Sequence, residues 1–108
     1  MQNNQSYYGS TERKRMAQVR DLLLDGTARV LNGRVHYRMY QLVKNGEVLY
    51  RLCTTYAGTR AECCVRCNRS FADKLFFALL RGRVTPCSMV YIVCELVANS
   101  EYNVIMEV

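Results

Sequence analysis

Six cysteines, one histidine and a set of arginines are the side chains through which this 108-residue chain could do chemistry. Three of the thiols fall in the run Cys63-Cys64-x-x-Cys67, and Cys-x-x-Cys is half of a zinc knuckle. The run lies in a predicted strand, where successive side chains point to opposite faces. Cys64 and Cys67 then face away from each other, while Cys63 and Cys67 share a face about 13 Å apart. His36 is the sole histidine, so no second ligand pair completes a metal centre, and neither a metal nor another cofactor is expected. A thiol enzyme is the sharper alternative. His36 and Glu62 flank Thr55 across strands, the next row holds Cys53 and Cys64, and neighbouring arginines lower a thiol pKa. As cross-strand neighbours, Cys53 and Cys64 also read as packed thiols or as a pair that oxidation joins. Catalysis usually sits on loops around a pocket and not in the middle of a sheet. No glycine-rich phosphate loop, paired carboxylates or serine triad is visible. A non-enzymatic protein is expected.

The cationic side chains make the second group. Arg38, Arg51 and Arg66 gather with Tyr40 on one predicted sheet face, flanked by Arg60 and Arg69. Arginine forks hold carboxylate or phosphate in two-pronged fashion, and the tyrosine supplies a stacking plane. Such a face serves an acidic protein surface, a phosphate-bearing ligand, or single-stranded nucleic acid and nucleotide signals. A single central aromatic is thin for a platform on which RNA bases stack. Antiparallel sheets also leave one face to water, where arginines are ordinary. The charge distribution favours an anionic partner: the net charge is +6, residues 1–83 carry all fifteen Lys and Arg against six acids, and residues 84–108 carry three acids and no cation. A basic body with an acidic end also suits self-association.

Two turns organise the strands that would present these residues. Lys44-Asn45-Gly46-Glu47 fits a two-residue type I′ hairpin loop, and Ala57-Gly58-Thr59-Arg60 fits type II′ with Gly58 first. Centred on residues 45–46, the first hairpin pairs Val43 with Val48, Gln41 with Tyr50, Met39 with Leu52 and Tyr37 with Thr54. Centred on residues 58–59, the second pairs Tyr56 with Ala61, Thr54 with Cys63, Leu52 with Val65 and Tyr50 with Cys67. All of these share one largely apolar face. The other face carries the rows His36-Thr55-Glu62, Arg38-Cys53-Cys64 and Tyr40-Arg51-Arg66, with Leu42-Leu49 beside the first turn.

Around this three-stranded meander the chain reads as one domain, residues 10–108, behind a polar tail at residues 1–9. Ser10 or Thr11 caps a predicted helix to about Asp25, with Met16, Val19, Leu22 and Leu23 as its apolar stripe and Gly26 as its stop. Thr27 to Gly33 reads as a connection with room for a short strand at Ala28-Leu31. Ser70 with Asp73 starts a helix over 71–81, ended by a left-handed Gly82. Thr85-Pro86 opens a second helix, apolar nearly all round, which must be covered on more than one side and points to a homodimer. Its poverty in polar side chains rules out a recognition helix. Residues 102–108 alternate as a final strand. The fold expected is a two-layer α+β domain, with an antiparallel meander plus C-terminal strand, a helix hairpin packed on its Val35/Met39/Tyr50/Leu52/Val65 face and an N-terminal helix. No apolar run approaches the ~18 residues of a membrane span. A polar N-terminus lacks a signal-peptide pattern, so a cytoplasmic location with reduced thiols is expected.

Ser70 and Asp73, the Leu79-Leu80 pair and Gly82-Arg83-Val84-Thr85-Pro86 give residues 37–98 a resemblance to a family of small uncharacterised proteins of Gram-positive anaerobes. Its members show a short meander, a serine- and aspartate-capped helix and a Gly-x-Val-Ser/Thr-Pro turn into a last helix. This chain lacks the acidic residues usual in that last helix and has Ser88 where a histidine is frequent. The resemblance implies an α+β fold and no activity. Together these features predict a small binding or regulatory protein, of the kind phages and mobile elements carry as inhibitors, acting through Arg38, Tyr40, Arg51, Arg60, Arg66 and Arg69.

Overall fold

The computed structural model describes residues 19–105. Five strands form one antiparallel sheet in sequence order: β1 Val19–Val30, β2 Gly33–Lys44, β3 Glu47–Tyr56, β4 Thr59–Arg66 and β5 Asn103–Ile105. Between β4 and β5 run the helices α1, Arg69–Arg81, and α2, Pro86–Ala98. Both helices pack on one face of the sheet, which gives the expected two-layer α+β domain. Val35, Tyr37, Met39, Tyr50, Leu52 and Val65 meet Ala72, Leu75, Phe76 and Leu79 of α1 and Met89, Val93 and Val97 of α2. Burying each Leu or Met of this core contributes roughly 1.5–3 kcal/mol.

The first hairpin forms as its turn dictates. Asn45 and Gly46 both take positive φ, 53° and 79°, and the pairs Val43–Val48, Gln41–Tyr50, Met39–Leu52 and Tyr37–Thr54 all stand. The second departs from the predicted register. Its turn residues are Ala57 and Gly58, with φ of 51° and 83°, so the loop is type I′ and β4 slides by two residues. Tyr50 now faces Val65, Arg51 faces Cys64, Leu52 faces Cys63 and Cys53 faces Glu62. A slide of two keeps every side chain on its predicted face. The physical reason lies in the charges. The predicted register sets Arg51 directly opposite Arg66, and like charges so placed destabilise a sheet. The observed one brings Glu62 between Arg51 and Arg60.

Where the predicted N-terminal helix ran to Asp25, the chain is strand from Val19, paired along its length with β2. The rest of that prediction, with the tail at residues 1–9, lies outside the described residues. A bulge between Leu22 and Leu24 hides the strand's alternation. Leu22 is half exposed, whereas Leu23 and Leu24 both pack on the core, so three consecutive leucines mimic a helical stripe. Gly26 does not stop a helix. It lies under α1, where an added Cβ would touch Leu80 and Phe76 at 3.6–3.7 Å.

The helix ends also differ in detail. Asn68, not Ser70, caps α1, its Oδ1 accepting from the Phe71 amide at 2.9 Å. Asp73 instead accepts from Arg69 Nε one turn back at 2.7 Å. Gly82 is right-handed, and Arg83 supplies the left-handed residue at φ 51° that lets Val84 N–H reach Leu79 O. Thr85 and Pro86 start α2 as predicted, although the threonine hydroxyl lies 3.3 Å from Cys87 Sγ instead of capping the backbone. On α2, Pro86, Met89, Val93 and Val97 are buried, while Tyr91 and Leu96 stay exposed. Among the described residues no helix is long and apolar enough to cross a membrane.

Candidate functional site: the open face of the sheet

The face opposite the helices is built from rows that cross the sheet. From the β1–β2 turn inward they are Arg29-Arg34, then Thr27-His36-Thr55-Arg60, then Asp25-Arg38-Cys53-Glu62, then Leu22-Tyr40-Arg51-Cys64-Ile105. Beyond these lie Arg20-Leu42-Leu49 beside Arg66, and Lys44-Glu47 at the second turn. The face therefore carries eight cationic side chains, Arg20, Arg29, Arg34, Arg38, Lys44, Arg51, Arg60 and Arg66, against the three carboxylates of Asp25, Glu47 and Glu62. Outside the sheet, Arg69, Lys74, Arg81 and Arg83 are nearly balanced by Asp73, Glu95 and Glu101. The charge surplus of the described residues sits on one side of the molecule.

Arg38, Tyr40, Arg51, Arg60 and Arg66 all share this face. They do not form one cluster, since each arginine occupies a different row. Arg69 is separate from them, at the start of α1 and paired with Asp73. The carboxylates hold the arginines in place. Arg66 donates to Glu47 through two nitrogens, at 2.6 and 3.1 Å, which keeps the Glu47 carboxyl below its usual range. Glu62 pairs with Arg60 and, at 3.7 Å, with Arg51, whose Nε also donates to Cys64 Sγ at 3.4 Å. Asp25 accepts from His36 Nε2 at 2.5 Å and lies 4.0 Å from Arg38. Arg51 is the most enclosed of these, with 18% of its side chain exposed, whereas Arg38, Arg60 and Arg66 keep about half.

Tyr40 is not a free stacking plane, because the Arg20 guanidinium lies over its ring at 4.5 Å. A small apolar cluster of Leu42, Leu49 and Cys64, with Tyr40 and Ile105 against it, seals the far end of the face. The arginine surplus at Arg29 and Arg34 did not emerge from the predicted rows, whereas the Leu42-Leu49 pair of the small cluster was expected beside the first turn. Finding that surplus needed β1 as a strand.

The thiols do not assemble. Cys53 and Cys64 are diagonal neighbours, one facing Glu62 and the other Arg51, and all six cysteines are free. Burial pushes the thiols of Cys63 and Cys67 up to about 12 and 11, an inert pair facing the core. Cys87 is the thiol whose pKa falls, through hydrogen bonds with the Thr85 and Ser88 hydroxyls, and it lies in the helix layer. His36, bonded to Asp25, is on the other layer. Among the described residues no three His, Cys, Asp or Glu side chains are grouped to hold a metal ion.

Neither a family model, nor a curated protein, nor a solved structure matches this chain. The open face therefore has to be read from its own chemistry: a field of guanidinium groups, four of them held by carboxylates, with few aromatic rings.

Proposed function

We propose that this protein is a small non-enzymatic binding protein that occupies an acidic protein surface with the open face of its sheet, in the manner of an inhibitor. The observation that carries this is the imbalance of eight cationic groups against three carboxylates on a single face. Internal carboxylates fix the arginine positions before a partner arrives, which lowers the ordering cost of binding. Their planar forks still present N–H groups outward for the partner's carboxylates. The cover of Arg20 over Tyr40 favours a protein partner over stacked bases. Separation of His36 from Cys87 favours binding over thiol catalysis. Six free thiols suit a reducing compartment such as the cytoplasm.

The test compares the parent with Arg38→Gln/Arg60→Gln/Arg66→Gln, all exposed positions, and with Lys74→Gln on the helix layer as control. Immobilised polyglutamate and oligo(dT) serve as probes, alongside capture and sequencing of partners from cells. Supporting results are salt-sensitive retention on polyglutamate and capture of an acidic protein, both lost in the triple variant alone. Retention on oligo(dT) with none on polyglutamate overturns the proposal in favour of nucleic acid. Equal behaviour of all three proteins removes the open face from consideration. Sedimentation of the same samples reads whether Tyr91 and Leu96 on α2 pair two copies.

A further inference from the structure

On the open face the arginines of β2, β3 and β4 are answered by carboxylates: Arg38 by Asp25, Arg51 and Arg60 by Glu62, Arg66 by Glu47. Arg20, over Tyr40, and Lys44 have no carboxylate partner among the described residues, but only in the row next to the β1–β2 turn do two such cations face each other. Arg29 and Arg34 stand directly opposite one another, and neither has a carboxylate partner among the described residues. The adjacent row, Thr27-His36-Thr55-Arg60, holds no carboxylate, and Asp25 in the row beyond it is engaged by His36 and Arg38. Two like charges facing across a hairpin destabilise it, and an anion set between them reverses that sign. The two arginines border an open cavity of about 260 Å³ with Val30, Leu31 and Gly33. Gly33, at φ 141°, contributes bare backbone there, and Leu31 at the tip is 95% exposed.

We propose that this row is a phosphate-binding site, which takes a phosphomonoester dianion between the Arg29 and Arg34 forks while Leu31 rests on the apolar body that carries it. Each guanidinium presents a pair of N–H groups matched to two phosphate oxygens. The charge also fits, since a dianion balances two arginines where a carboxylate balances one. A soluble phosphomonoester and a phosphatidic-acid headgroup share this chemistry. The inference goes beyond the acidic-partner proposal, which rests on Arg38, Arg60 and Arg66.

The experiment is a titration of the full chain with inorganic phosphate at fixed ionic strength, followed by two-dimensional amide NMR. The amides of Arg29, Gly33 and Arg34 shift saturably. Arg29→Gln and Arg34→Gln each weaken phosphate about tenfold while raising the melting temperature, because the like-charged pair is gone. Arg60→Gln leaves the phosphate response unchanged. Shifts that spread over the whole face and grow linearly with phosphate overturn the proposal, as does phosphate binding by either glutamine variant at the parent's strength. Vesicles of phosphatidylcholine with and without phosphatidic acid separate the sources. Capture by the acidic vesicles alone, lost with Leu31→Ser, assigns a lipid headgroup, and a phosphate response without capture assigns a soluble ligand. The Arg38/Arg60/Arg66 triple variant keeps this phosphate response, so failure of either proposal is read independently of the other.

Discussion

Replacing Ala57 with asparagine should stabilise this protein, and the size of the gain tests the register on which the whole open face depends. Ala57 sits at φ 51° in the first position of a type I′ turn. A left-handed conformation costs a residue with a Cβ about 1 kcal/mol relative to glycine. Asparagine tolerates that region through local hydrogen bonds and is preferred at this position. Ala57→Asn should therefore add about 0.5–1 kcal/mol, which for a domain of this size raises the melting temperature by roughly 2–5 °C. Ala57→Gly should gain less, because glycine's extra freedom in the unfolded chain offsets part of the relief. In the same turn, Gly58 has φ 83° with nothing within 4 Å of an added Cβ. Gly58→Ala should thus cost about 1 kcal/mol through backbone strain alone. Urea unfolding followed by circular dichroism measures both, with the slope unchanged if only the turn is affected. In the type II′ alternative centred on residues 58–59, Ala57 is an ordinary extended strand residue. A neutral or destabilising Ala57→Asn would therefore refute the observed register, and with it the placement of Glu62 between Arg51 and Arg60.

Thiol chemistry should be sharply selective. At pH 8 an alkylating reagent should modify Cys87 first, with Cys67 at least about a hundredfold and Cys63 about a thousandfold slower, as their thiolate fractions dictate. A mass-spectrometric time course that finds Cys63 early would contradict its burial. Tyr37 should make the protein sensitive to alkali. Burial raises its phenol to about 12, partly opposed by the Arg83 guanidinium, so the folded state holds the proton more tightly than the unfolded chain does. Its contribution is complete below pH 10 and is lost as the pH climbs through 12. Tyr37→Phe should flatten that alkaline loss, while costing about 1 kcal/mol at neutral pH through the missing 2.7 Å bond to Val84 O. Asn68→Ala should cost about 1 kcal/mol as the loss of the α1 cap, with Ser70→Ala nearly silent, in thermal melts.

Much of this architecture could be read from local chemistry, and the failures have identifiable causes. Asn45-Gly46 specifies its turn so narrowly that every predicted β2–β3 pair forms. Ala57-Gly58-Thr59 does not, since one glycine serves either of two turns, and distant charges on Arg51, Glu62 and Arg66 decide between them. The sorting of side chains onto two faces survived that slip because its step was two residues. The first strand could be read only as a short piece at Ala28-Leu31, for a different reason: its bulge places Leu23 and Leu24 inward together, and the pairing with β2 is what reveals the full length. The site suffered accordingly. Arg38, Arg51, Arg60 and Arg66 were placed on the right surface, but their carboxylate partners depend on register and on β1, and Arg69 was assigned to a layer it does not occupy.

The minor apolar cluster of Leu42, Leu49 and Cys64 means that the sheet buries apolar side chains on both faces at one end, whereas at the other end Arg29 and Arg34 leave its outer face exposed. Backbone amides near Leu42 and Leu49 should exchange with deuterium only through global unfolding, whereas those of residues 29–34, which are mostly exposed, should exchange through local opening. One margin of this face should thus behave as a stiff anvil, and the arginine-tipped margin as its looser edge.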